Sequence, residues 1–217
     1  MSDHPPPAAA RAGLDALAAR HLDLARIEAA AGPLPWRRRT PGFAGLLQAI
    51  MGQQISNAAA GAIWRRLAAL PGALNPEGLL ALDEAALRGA GLSRAKVAHS
   101  RALAMAYAEG RLDDALLAAM DDDAAIAAIS AVRGLGPWTA EVYLLFALER
   151  LDVFPAGDLA LAAALADLRR LDARPKTADL RALAADWRPW RSLAARLLWH
   201  HWRHVTGRPA MDDPPIP

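Results

Sequence analysis

IAAISAVRGLGPWTA, residues 126–140, breaks one helix and starts another, and its reading decides the fold. Ile126, Ile129 and Val132 are spaced for one buried face of a short helix, and DDDAAIAAISAV, residues 121–132, opens with the acidic residues that suit a helix N-terminus. Arg133-Gly134-Leu135-Gly136-Pro137 then interrupts the pattern, and a second helix is predicted from Trp138 to Leu148. Glycines permit a tight turn whose N–H groups point outward, beside the positive end of the second helix. Such a corner suits a phosphate. A G-x-G pair alone also fits a Rossmann turn, a helix C-cap or an ordinary inter-helix loop. The Rossmann reading requires a strand before the glycines, and residues 121–132 carry helical spacing instead. Downstream, Asp158 precedes the apolar run LALAAALADLRRL, where an aspartate is by default an N-cap contributing about 1 kcal/mol.

Composition bounds the rest. A chain of 217 residues with 54% hydrophobic residues can bury one large core or two small lobes. With no cysteine there is no disulfide framework, thiolate zinc site or iron–sulfur cluster. The N-terminus MSDHPPPAAARAGLD lacks the basic start and apolar core of a secretory signal, and no segment offers about 18 uninterrupted apolar residues, so a soluble, cytoplasmic protein without a membrane partner is expected. A net charge of +2 means that any nucleic-acid surface must come from where the basic residues sit.

In order, a Pro-rich tail runs to about Ala8, followed by one Ala/Leu helix to about Ala31 and a basic connector, Arg37-Arg38-Arg39. Helices follow over Pro41–Met51 and, from an N-cap at Ser56, to about Leu70; between them two adjacent glutamines, Gln53 and Gln54, occupy a turn. Asn75-Pro76-Glu77 and Asp83-Glu84 start short helices, and Ser93 caps a long one over Arg94–Ala108 that carries Lys96. Lys96 reads equally as a surface charge or a phosphate contact. A short helix over Asp113–Met120 leads into the hairpin. WRPWRSLAARLLWHHW, residues 187–202, holds four of the seven tryptophans, with Pro189 in the first turn of a helix anchored by Trp190, Leu193, Leu197 and Leu198. Trp187 and Trp190 read as core. No stretch alternates as a half-buried strand would, so the fold class is all-α.

Three stretches in one order resemble the helix-hairpin-helix DNA glycosylase superfamily, and among its members the 3-methyladenine DNA glycosylase II group: QAIMGQQISNAAA, then GLGPWTA with Asp158 following, then WRPWRS with Trp199. G-L-S-R-A-K, which contains Lys96, also matches that family's pattern, and together these cover roughly residues 40–204. The resemblance implies a two-lobed fold with the active cleft between the lobes, in a compact form without the N-terminal β-domain of some relatives. One helical lobe would comprise residues 9–40 plus 151–208, and the other, a helical barrel containing the hairpin, residues 41–150, with tails at 1–8 and 209–217.

The same resemblance implies a monofunctional DNA glycosylase of base excision repair, which flips an alkylated purine such as 3-methyladenine out of duplex DNA and hydrolyses its N-glycosidic bond. Asp158 would stabilise charge on the sugar and orient or deprotonate water; Trp138, Trp199 and Tyr143 would line the base pocket; Gln54 would fill the gap. Gln53, Gln54, Lys96, Arg133, Gly134, Leu135, Gly136 and Thr139 would contact DNA. No cofactor is required, while a Na+ or K+ on backbone oxygens near Arg133 and Leu135 is implied. Partners are damaged double-stranded DNA and no membrane; a monomer in the bacterial cytosol or nucleoid is expected. Two departures stand out. Trp138 occupies the position of the bifunctional members' lysine, and Val142 stands where some alkylbase glycosylases have an aromatic. The alternatives are a glycosylase for uracil, hypoxanthine or a mispaired base, and a non-catalytic helix-hairpin-helix DNA-binding protein.

Overall fold

The computed structural model describes residues 5–207, whose regular structure is helical throughout: thirteen α-helices and one 3-10 turn. These residues divide into two units, one made of 5–38 with 149–207 and the other of 39–148. Residues 1–4 of the expected N-terminal tail, and the tail at 209–217, lie outside the described residues. None of the described helices is long and apolar enough to cross a membrane.

The first unit begins with two helices where one was expected: α1 (Ala8–Arg20) and α2 (Leu22–Ala31), broken at His21, whose backbone is extended at φ −133 and ψ 91. The break lets Leu14 and Leu17 of α1 share a core with Leu24 and Ile27 of α2. Arg11 then reaches Glu28 through two bonds of 2.9 and 3.0 Å, across a separation of 17 residues that a continuous helix would stretch to about 25 Å.

The second unit holds α3 (Gly42–Gly52), α4 (Asn57–Ala68), α5 (Pro76–Ala81), α6 (Glu84–Gly89), α7 (Arg94–Ala108), α8 (Asp114–Ala119), α9 (Asp122–Ser130) and α10 (Pro137–Phe146). Short polar side chains set the starts. Ser56, Asn75, Asp83, Ser93, Asp113 and Asp121 each accept an N–H from the first turn of the helix that follows, contributing roughly 1 kcal/mol apiece. Both α3 and α5 pack on α7, and Leu46, Leu47, Ile50, Leu79 and Leu103 are fully buried there. On α9 Ile129 is buried as predicted, as is Val132 just beyond it, while Ala125 takes the buried place expected of Ile126, which is half-buried.

The chain then returns to the first unit through α11 (Leu159–Arg169), α12 (Thr177–Ala184), the 3-10 turn Ala185–Trp187 and α13 (Arg191–Thr206). Helix α12 was not foreseen, since only Leu180 and Ala184 of its residues are buried and its pattern is faint. Pro189 lies outside α13, in a cis Arg188–Pro189 bond, contrary to its expected place in the first turn. Asp152 explains the later start: it accepts the backbone N–H of Arg191 at 3.2 Å and its guanidinium at 2.9 and 3.0 Å. Trp187 is fully buried against Phe154, and Trp190 lies over Gly13, where a Cβ would come within 2.8 Å of its ring. Both tryptophans therefore serve packing.

Candidate active site

The hairpin turn of the second unit is closed by Leu135 N–H donating to Val132 O at 3.0 Å. Gly134 takes φ +93, and a Cβ there would sit 2.2 Å from Cγ of His99, so this position requires glycine both for its backbone and for the ring beneath it. Gly136 differs. Its φ is −96, and a Cβ on it would meet nothing within 4 Å, so the surface beside it is open to an approaching ligand. Gly136 is the N-cap of α10, Pro137 fills the first position, and no side chain caps the helix. A positive helix end without a side-chain cap favours an anion. Arg133 is exposed at the turn, whereas Leu135 and Thr139 are buried, which takes their side chains out of a DNA surface.

Two residues expected on DNA are committed elsewhere. Lys96 is 8% exposed, and its Nζ donates to the carbonyls of Ile50, Met51 and Gln53 at 2.7, 2.8 and 3.1 Å. An ammonium has three donors, so none is left for a phosphate. Burial also lowers its pKa below the ordinary lysine value. Gln53 donates its amide to Gly134 O at 2.9 Å, joining the end of α3 to the hairpin. Gln54, by contrast, is exposed and left-handed at φ +60, followed by Ile55, which is 37% exposed.

Asp158 belongs to the first unit and is the N-cap of α11. Its Oδ1 accepts the N–H groups of Ala160 and Leu161 at 2.8 and 3.0 Å and the indole N–H of Trp199 at 3.3 Å. Cap and candidate catalyst are thus one residue: the helix start and the Trp199 ring from α13 hold the carboxylate in a single orientation, next to the positive end of α11. The other end of α11 is tied to the same helix by Asp167 and His201, 2.7 Å apart.

Tyr143 leaves the expected base pocket. It is 3% exposed, its hydroxyl accepts the N–H of Gly42 at 2.7 Å, and burial pushes its pKa up to about 12. It fastens α10 to the start of α3. Val142 is likewise buried, while Trp138 is 39% exposed and Trp199 is half-buried. Sequence reasoning missed one neighbour of the hairpin turn and one of Asp158. His99 supports the turn, and its spacing of three from Lys96 on α7 was the available signal. Leu159, directly after Asp158, is 77% exposed because it lies about 200° around the helix from the buried Leu161. A monovalent ion at the turn would rest on main-chain oxygens, since no cluster of three or more His, Asp or Glu side chains among the described residues could hold a metal. The Gly134 carbonyl already accepts from Gln53, so such an ion would have to use those of Arg133 and Leu135.

Comparison with known proteins gives the same direction. Residues 47–189 match the family described as the HhH-GPD superfamily of base excision DNA repair proteins. A putative DNA-3-methyladenine glycosylase of Bacillus subtilis is 32% identical over 124 residues, covering 57% of this chain and 43% of that protein, so the match spans under half of the relative's length. The crystal structure of a DNA-3-methyladenine glycosidase from Bacillus halodurans superposes with a TM-score of 0.82 at 29% identity, covering 90% of this chain and 91% of the other. The Schizosaccharomyces pombe 3-methyladenine DNA glycosylase in complex with abasic DNA gives 0.75 at 25% identity, covering 90% and 95%.

Proposed function

The chain belongs to the HhH-GPD superfamily of base excision DNA repair proteins, and from that premise we propose that it is a monofunctional DNA glycosylase that removes alkylated purines such as 3-methyladenine from duplex DNA. The observation that carries the reading is the fixed carboxylate of Asp158, held by two backbone N–H groups and the Trp199 indole. A lone acidic group suffices for this substrate class. Alkylation of a purine ring nitrogen makes the base cationic, and breaking the C1′–N bond returns the electron pair to the departing base, which leaves neutral. Positive charge develops on the sugar, where a pre-positioned carboxylate stabilises it. Water then bonds to C1′, its proton passes to Asp158 and on to solvent, and an abasic strand remains.

The remaining residues divide the work. The hairpin at Arg133–Gly136 and the start of α10 would receive a backbone phosphate, which positions the duplex without reading its sequence. Gln54 would fill the space vacated by the flipped base. Trp199, oriented by its bond to Asp158, offers a ring face for a cationic base, a contact that contributes about 0.5–2 kcal/mol. In the second unit Tyr143 is turned into the core, while Trp138 keeps an exposed ring. The reading places the protein as a monomer on damaged double-stranded DNA in the bacterial cytosol or nucleoid. It requires no cofactor for hydrolysis, and a Na+ or K+ at the hairpin would only support the turn. Base release from duplexes carrying methylated, deaminated or undamaged purines tests it: release from methylated DNA is expected, and binding without release from any substrate would leave a DNA-binding protein.

A further inference from the structure

Resting on that reading, we propose that Lys96 and Gln53 are positioning residues that lock the loop carrying Gln54 onto the hairpin turn, so that opening of the duplex and grip on the phosphate move as one rigid body. Helix α3 ends at Gly52, where its last carbonyls carry the negative end of the helix dipole and that of Ile50 takes a long 3.4 Å bond from the N–H of Gln53. Lys96, projecting from α7, places one ammonium among three of the carbonyls at that end, those of Ile50, Met51 and Gln53. Ser93 caps α7 three residues earlier, with its hydroxyl 3.2 Å from Lys96 N, so the lysine stems from a fixed first turn.

Gln53 is therefore held from both sides. Its carbonyl accepts from Lys96 at 3.1 Å, and its side-chain amide donates to Gly134 O at 2.9 Å. Gly134 is itself seated on His99, which also projects from α7. Loop, turn and α7 form a closed circuit of contacts within the second unit. Gln54 stands directly on it, in the left-handed conformation at φ +60 that a glutamine keeps only where its neighbours determine it. A wedge on a slack loop yields to the base stack; one fixed to the phosphate grip transmits the binding force into the stack. Lys96 and Gln53 thus assist the reaction without touching DNA.

The test separates opening from chemistry. Single-turnover release of one alkylated purine is measured opposite thymine and opposite a tetrahydrofuran spacer, where pairing no longer resists extrusion. Lys96→Met and Gln53→Glu are each expected to slow release from the paired site at least tenfold more than release from the unpaired one. Gln53→Glu sets a carboxylate against the Gly134 carbonyl while leaving the lysine and its three carbonyls in place, so it decides the matter if Lys96→Met does not fold. Equal loss on both substrates reduces the two residues to ordinary structural supports and overturns the proposal; so does unchanged release on both. Failure of the unaltered protein to release base from either duplex contradicts the glycosylase reading itself, and the positioning role falls with it.

Discussion

At the scale of the residue, the two hairpin glycines do different work, and substitution distinguishes them. Gly134→Ala puts a Cβ into the His99 ring at a positive φ, and a stability loss of about 1–3 kcal/mol is expected in a denaturant melt. A Cβ at Gly136 meets no protein atom within 4 Å; the stability of Gly136→Val should change by about 1 kcal/mol at most, through the poorer N-cap, while affinity for damaged and undamaged duplex falls alike. Unaltered duplex affinity in that variant would detach the hairpin from DNA. Lys96 teaches the opposite lesson about a motif. G-L-S-R-A-K marked the residue correctly as special, but sequence could not tell a phosphate contact or surface charge from a buried clamp, because the carbonyls it serves lie 43 to 46 positions earlier in the chain.

At the scale of the element, helix starts were the most legible feature. Ser56, Asn75, Asp83 and Ser93 cap where their residue types predict, because capping is settled within one turn. The break at His21 and the late start of α13 were not legible, since they go with contacts between distant residues, Arg11 with Glu28 across 17 positions and Arg191 with Asp152 across 39. Helix α13 also carries a pH dependence. His200 Nε2 lies 2.9 Å from Gly32 O, and burial, which outweighs the opposing bond to Gly32 O and is aided by the charges of Arg203 and Arg37, lowers its pKa below the usual imidazole value. The unfolded chain therefore binds the proton more readily, so the contribution is full above about pH 6.5 and is lost as pH falls through the folded pKa. Melting temperatures should decline below that pH, and His200→Gln, which keeps a donor near Gly32 O, should flatten the decline. Glu28, held below the usual carboxylate range by Arg11, adds a separate loss at more acid pH. A His200→Gln profile that matches the parent between pH 7.5 and 5 would remove the imidazole from the account.

At the scale of the whole molecule, periodicity showed helices but not which of them belong together. The first unit joins the two ends of the chain through Trp36 to Glu149 at 2.9 Å, Asp23 to Arg169 at 2.7 Å, and Arg196, which stacks 4.1 Å over Trp36 and donates to Arg37 O. Only resemblance to a family anticipated such long-range pairing. The chain's lysine inventory fixes a further expectation: of its two lysines, Lys96 is occupied by three carbonyls and Lys176 is exposed at the start of α12, so borohydride should trap no enzyme on DNA and the abasic product should break only with alkali or heat. Efficient trapping would expose an amine nucleophile outside this account. The central claim is that Asp158 performs hydrolysis, and single-turnover base release from methylated duplex by Asp158→Asn, with DNA affinity measured alongside, tests it most directly. Asparagine caps a helix as well as aspartate, so the fold should hold while release drops at least 100-fold and affinity persists or tightens. Release at near the parental rate would leave Asp158 as the cap of α11 and nothing more.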